Sequence, residues 1–123
     1  MLILAIDQGT TGSTALLVDG AQRILAKRNQ EFPQIYPRPA WVEHDPEAIW
    51  KSVVEATNAC LDAVPGSREQ VVAIGITNQR ETTVLWDRDS GQSVHNAIVW
   101  QCRRTAAACD ALKEKGLEDG FRQ

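Results

Sequence analysis

The chain opens with three short apolar runs broken by polar turns, and a helical period then replaces this strand-like rhythm. Residues 2–7, 13–18 and 23–31 predict three strands of an antiparallel meander. Asp19-Gly20 suits the turn between the second and third, because both residue types tolerate positive φ. Residues 32–44 carry Pro33, Pro37 and Pro39 and predict an extended loop, packed down by Phe32, Tyr36 and Trp41. Asp45 is a good helix N-cap, Pro46 fits the first helical position, and Glu47 sits near the positive end of the helix dipole. Ile49, Trp50, Val53, Val54, Cys60, Leu61 and Val64 then recur with helical period until Pro65-Gly66, so this helix is expected to cover one face of the sheet.

Val71-Val72-Ala73-Ile74-Gly75-Ile76 is a continuous apolar run, the pattern of a strand buried on both faces. A strand–helix–strand crossover favours parallel pairing, so strand 71–77 is expected beside the first strand and parallel to it. Residues 82–87 and 94–100 predict a hairpin around Asp89-Ser90-Gly91. A last helix is expected from Cys102 or Arg103 to about Lys115, ending at Gly116. Together these elements make an α/β fold with a mixed sheet: an antiparallel meander, a crossover helix and a parallel strand.

A chain of 123 residues, 43% hydrophobic, can build one modest domain. Its net charge of −3 is spread among intermixed acids and bases, and the absence of a basic stripe argues against nucleic acid as a partner. The apolar stretches are too short to span a bilayer and no signal peptide precedes the first strand, so no membrane role is expected. Cys60, Cys102 and Cys109 lack metal-ligand spacing. Cys102 and Cys109, if both helical, lie roughly 10 Å apart along the axis, beyond the reach of a disulfide. Free thiols and a reducing cytoplasm are the expectation. His44 and His95 stand alone in sequence and read as structural.

Two segments carry candidate chemistry. In Asp7-Gln8-Gly9-Thr10-Thr11-Gly12-Ser13 a strand ends in a carboxylate, then in glycines separated by hydroxyl residues. Glycine lets backbone N–H groups approach an anion, threonine adds donors, and the carboxylate can hold a hydrated Mg²⁺. The same residues also suit the polar turn of an ordinary β-hairpin. In Thr77-Asn78-Gln79-Arg80-Glu81-Thr82-Thr83 a polar run follows a buried-type strand, where open α/β sheets bind their ligands. Arg80 and Glu81 there read either as a plain salt bridge or as a polyol grip. Guanidinium offers only donors, carboxylate only acceptors, and a hydroxyl needs both.

Asp7-Gln8-Gly9-Thr10-Thr11, Trp41-Val42-Glu43-His44-Asp45-Pro46, the segment from Gly75 to Thr83 and that from Asn96 to Thr105 resemble, in order and spacing, the amino-terminal part of the glycerol kinases. These belong to the FGGY family of carbohydrate kinases, and the resemblance covers essentially the whole chain. It implies a ribonuclease-H-like lobe of the actin-like ATPase kind, present here as a partial domain. Residues 1–123 would form the first part of the amino-terminal lobe. It further implies ATP-dependent phosphorylation of glycerol to sn-glycerol 3-phosphate, with ATP and Mg²⁺ as cofactors. A kinase for another polyol or sugar, or an inactive truncated module, are the rival readings. By resemblance Asp7 is the Mg²⁺-side carboxylate. Gly9, Thr10, Thr11, Gly12 and Thr14 belong to the nucleotide side. Thr10, Arg80, Glu81 and Trp100 face the polyol. The general base is expected outside this segment. Many family members carry Ser-Ser-Arg after the two threonines, whereas Gly12-Ser13-Thr14 stands here, so a hydroxyl replaces a fixed charge. Arg103 and Arg104 read as a cap on the active-site wall or, the preferred reading, as surface ion pairs, and Glu43, His44 and Asp45 read as a loop-to-helix junction without chemistry. An exposed apolar surface is expected where this part would meet the rest of the lobe, favouring homo-oligomers.

Overall fold

Alternation along the first strand sends Leu2 and Leu4 to one side of a sheet, the side that the crossover helix covers. The computed structural model describes residues 1–118 and 120; residues 119 and 121–123, included in the domain expected from sequence, lie outside the described residues. β1 (Leu2–Gln8), β2 (Gly12–Asp19) and β3 (Ile24–Glu31) form the expected meander. β4 (Glu43–His44) precedes helix α1 (Pro46–Asp62), which leads to β5 (Val71–Asn78). β6 (Ala97–Ile98) and helix α2 (Ala106–Glu114) follow. The main sheet runs β3-β2-β1-β5, with β5 parallel to β1 as the crossover predicts.

Leu2, Leu4, Ala15, Leu17 and Ala26 from the sheet meet Ala56 and Cys60 of α1 in the core. Burying each of the three leucines contributes about 1.5–3 kcal/mol. The face that α1 turns to the sheet differs from the large apolar stripe expected. Its buried residues are Ser52, Ala56 and Cys60, four apart and all small, which lets the helix lie close. The Ser52 hydroxyl donates to the Ile49 carbonyl (2.7 Å) and lies 2.7 Å from the buried Ser13 hydroxyl, so both serines are satisfied at this close approach, whereas the buried Thr57 hydroxyl on the same helix has no partner among the described residues. Asp45 caps α1 through the Glu47 N–H at 2.9 Å.

Several expectations from sequence need correction. β5 is not buried on both faces. It is the edge of the main sheet, and α1 lies over β2 and β3, so Val72, Ile74 and Ile76 stay exposed, Ile76 by 73%. Trp50 is likewise exposed beside Ile49, Val53 and Ile76, along an apolar groove between α1 and the end of β5. The β2–β3 turn places its positive φ at Gln22 rather than at Asp19 or Gly20. The Asp19 carboxylate accepts from the N–H groups of Ala21 and Arg23, which fixes the turn without a left-handed glycine. Phe32 is buried, but Tyr36 is 67% exposed.

The hairpin expected at 82–87 and 94–100 is reduced to single bridges, Thr83 with Ile98 and Trp86 with Ser93. Ile98 and Ala97 pair instead with Glu43 and His44. The reason lies in Glu43, whose carboxylate accepts from Arg104 at 2.6 Å and from Asn96 at 3.0 Å. Arg104 also stacks over Trp41 at 3.9 Å from the ring centre, so it is an internal anchor and not a surface ion pair. Residues 102 and 103 are tied by backbone bonds to Val99 and Ala40, and the last helix therefore starts only at Ala106. The three cysteines are free thiols, as expected. Among the described residues no helix is long and apolar enough to cross a membrane.

Two stability predictions follow from this packing. A Cβ at Gly12 would stand 2.7 Å from the Gln30 carbonyl oxygen and 3.0 Å from the Glu31 Cα, both backbone. Gly12→Ala should therefore destabilise the fold by about 1–3 kcal/mol, read as a lower urea midpoint. The Arg104 guanidinium, then the Asn96 amide, hold the Glu43 carboxyl below its ordinary value of 4.5, while burial acts the other way. A carboxyl depressed on folding lends stability above that ordinary value and loses it as pH falls through the folded one. Urea midpoints should accordingly fall more steeply between about pH 5 and pH 3 in the parent than in Glu43→Gln. Parallel slopes would remove Glu43 from the acid response.

Candidate functional site

The parallel pairing of β1 and β5 sets Gln8 opposite Asn78, and the Gln79 N–H extends the ladder to the Gln8 carbonyl at 2.8 Å. Both chains then turn away from the sheet and leave a cleft of about 320 Å³ at the carboxyl ends of these strands. It is lined by Asp7, Gln8, Gly9 and Thr10 from the first segment, by Asn78, Gln79, Arg80 and Glu81 from the second, and by Trp100. Six of the residues singled out in sequence thus share one cavity: Asp7, Gly9, Thr10, Arg80, Glu81 and Trp100.

The salt-bridge reading of Arg80 and Glu81 does not hold. Among the described residues neither side chain makes an ion pair or hydrogen bond, with its neighbour or with any other group. Glu81 is held at φ 59°, a left-handed conformation that costs a non-glycine residue about 1–2 kcal/mol. Strain and unpaired charge at the mouth of one cleft point to a ligand. Asp7, in register with Thr14 on β2 and Thr77 on β5, is a third charged group of this cleft without a partner among the described residues.

Trp100 leaves 53% of its surface exposed and donates from its indole Nε1–H to the Thr10 hydroxyl at 3.0 Å. This uses a lone pair of Thr10 and leaves its hydroxyl proton for a ligand. Gly9, Thr11, Gly12 and Thr14 are placed differently. The Gly9 N–H closes the turn on the Gly12 carbonyl at 2.9 Å, so it is already bonded. Gly12 is buried against β3, and the Thr14 hydroxyl accepts from Asn29 at 2.9 Å on the sheet surface. Thr11 is exposed at the tip, with its carbonyl bonded to the Phe32 N–H. The segment is a hairpin turn and a cleft wall at once, with Thr10 and Thr11 as its free hydroxyl donors.

Gln8, Asn78 and Gln79 were not singled out as site residues, although they flank Asp7 and Arg80 in the polar runs that mark the strand ends. His44 is fully buried behind this wall, its Nδ1 3.4 Å from the Gln79 amide nitrogen and its Nε2 2.6 Å from the Gln34 oxygen. Burial holds its pKa below the ordinary histidine value. Nothing local to His44 in the sequence signals these contacts.

The Asp7 carboxylate lines the cleft, and an oxygen ligand of this kind suits a hydrated Mg²⁺ held through one carboxylate. Among the described residues no group of three or more His, Cys, Asp and Glu side chains is arranged to hold a metal. Any ion at Asp7 would therefore keep most of its water or take further ligands from elsewhere.

Residues 2–123 match the amino-terminal domain of the FGGY family of carbohydrate kinases. The chain is 53% identical over 121 residues to glycerol kinase 2 of Thermotoga maritima, and 58% identical over 119 residues to glycerol kinase of a Chelativorans species. These alignments cover 98% and 97% of this chain but 24% of each relative, so the chain spans about a quarter of the curated relatives' length. Plasmodium falciparum glycerol kinase, solved with ADP, superposes with a TM-score of 0.80 at 32% identity, over 93% of this chain and 23% of that one. A xylulose kinase from Lactobacillus acidophilus shares the fold, with a TM-score of 0.87 at 21% identity, over 97% and 24%. The family model matches nearly the whole chain, and the chain belongs to the FGGY family of carbohydrate kinases.

Proposed function

We propose that this chain is the first part of the amino-terminal lobe of an enzyme that transfers a phosphoryl group from ATP to glycerol, giving sn-glycerol 3-phosphate. The observation that carries the reading is the unpartnered Arg80 and Glu81 lining one cleft with the half-exposed Trp100. Adjacent hydroxyls of a triol donate to Glu81 and accept from Arg80, and the indole covers the carbon chain. Thr10 donates to a further oxygen from the opposite wall. The relatives named glycerol kinase, at 53% and 58% identity, support glycerol over a pentulose.

Asp7 fits the Mg²⁺ side of the cleft, and the Thr11 hydroxyl supplies a donor toward phosphate oxygens. A bound Mg²⁺–ATP would provide the transferable phosphoryl group and neutralise its charge. This chain's own residues orient the acceptor and exclude water from one side of it. Phosphoryl transfer depends mainly on such positioning and on electrostatic complementarity. The general base is proposed to lie outside this segment.

The deciding experiment is glycerol-dependent ADP formation by the full-length gene product, measured against a panel of pentuloses and gluconate. Preference for glycerol is expected. Preference for a pentulose would transfer the site to another acceptor, and no turnover with any of them would make the chain part of an inactive module.

Two variants test the grip itself. Arg80→Ala should cost about 2–4 kcal/mol of transition-state binding, a drop of roughly 30- to 1,000-fold in kcat/KM for glycerol. Near-parental kcat/KM would take Arg80 out of the site. Glu81→Gly should abolish glycerol turnover yet leave Tm at or above the parent's. Relief of about 1–2 kcal/mol of left-handed strain offsets the extra freedom of glycine in the unfolded chain. A clear fall in Tm would mean that Glu81 has a structural partner.

A further inference from the structure

Behind the cleft six residues from distant parts of the chain close a ring of hydrogen bonds. The Gln34 amide donates to the Thr10 carbonyl (3.1 Å) and to the Phe32 carbonyl (3.3 Å), which turns its oxygen toward His44. The Gln34 oxygen lies 2.6 Å from His44 Nε2. On the other edge of the imidazole, Nδ1 lies 3.4 Å from the Gln79 amide nitrogen. The Thr82 hydroxyl donates to the Gln79 oxygen at 3.0 Å and accepts from the Trp100 backbone N–H at 3.4 Å. The Trp100 indole N–H returns to the Thr10 hydroxyl at 3.0 Å.

We propose that His44 is a positioning residue, which as its Nε2–H tautomer closes this ring and so fixes the Trp100 indole and the Thr10 hydroxyl across the cleft. The direction of every bond follows from the amides. The Gln34 oxygen can only accept, so His44 must donate to it from Nε2. The Gln79 amide spends its oxygen on Thr82 and presents its NH₂ group to both His44 Nδ1 and the Gln8 oxygen at 3.2 Å. Nδ1 must therefore carry a lone pair. A neutral imidazole with its proton on Nε2 satisfies both neighbours, and either other state sets donor against donor or acceptor against acceptor. The Phe32 ring packs edge-on at 5.0 Å and closes the site to water.

The ring matters because Trp100 is half exposed and would otherwise be free to swing. Its edge is tied to the β1–β2 turn and its backbone to the segment after β5, so the indole plane is set before any ligand arrives. That a polyol is what meets this plane rests on the function proposed above, but the ring itself does not.

The test is nitrogen-15 NMR of the chain, with the Trp100 indole signal assigned from Trp100→Phe. His44 should show the split ring-nitrogen shifts of the Nε2–H tautomer. The Trp100 indole N–H should exchange with solvent more slowly than those of the exposed Trp50 and Trp86. In His44→Phe, which keeps the aromatic volume, this protection should fall about tenfold, the worth of a typical net hydrogen bond, with the far-UV circular dichroism unchanged. Should that variant fail to fold, Gln79→Glu decides. A carboxylate facing Nδ1 should convert His44 to the imidazolium, visible as converging ring-nitrogen shifts, and should move the Trp100 indole signal. An Nδ1–H tautomer in the parent, or an unchanged Trp100 signal in both variants, would overturn the ring. In the full-length gene product His44→Phe should raise the glycerol KM with little change in kcat. An unchanged KM despite lost indole protection would overturn the positioning role. Failure of the glycerol reading would appear instead as no glycerol turnover in the parent, and the NMR result would still decide the ring.

Discussion

The parallel pairing of β1 with β5 is the contact on which the rest depends. It joins residues about seventy positions apart, from Ile3 with Ala73 to Gln8 with Asn78, and the Gln79 N–H adds one more bond beyond the strand. Parallel strands end at the same edge, so the two polar segments that follow are delivered to one place. An antiparallel arrangement of the same strands would have sent Asp7 and Arg80 to opposite edges. The helix between them makes the parallel arrangement possible, and its small face of Ser52, Ala56 and Cys60 lets it lie close over the meander.

The chain treats its charges in two ways, and the contrast separates scaffold from site. Glu43 and Arg104 are both largely shielded, 2.6 Å apart, with Asn96, Trp41 and Cys102 completing their surroundings. Such a pair is costly to break, because removing one partner leaves the other buried and uncompensated. It holds β4 against β6 and keeps the segment carrying Trp100 beside the cleft. Among the described residues Asp7, Arg80 and Glu81 have no such partners. They stand exposed in the open cleft, and a polyol or phosphate ligand of the kind proposed would meet them with directed bonds.

The apolar edge formed by Val72, Ile74 and Ile76 follows from the same topology. α1 covers β2 and β3 but stops short of β5, and among the described residues no further strand pairs with that edge. An edge of this kind, rich in β-branched residues, invites pairing with another surface.

Local features were legible in the sequence because each needs only a few neighbouring residues. The three meander strands, the Asp45-Pro46 start of α1, the end of α2 by Gly116 and the polar runs after β1 and β5 all belong to this class. So did the candidate residues Asp7, Thr10, Arg80, Glu81 and Trp100, which the fold gathers into one cleft. The exposure of β5 was not legible, since a continuous apolar run reads the same at an edge as at the centre of a sheet. The pairing of β4 with β6, the anchoring of Glu43 by Arg104 across 61 positions and the bond from Trp100 to Thr10 across 90 also lay beyond it. Nor could a lone histidine before a helix cap announce a buried ring of hydrogen bonds. Such contacts depend on which side chains meet in space. The sequence by itself determined which groups were available to a site, and only the tertiary structure decided which of them found partners and which were left open to a ligand.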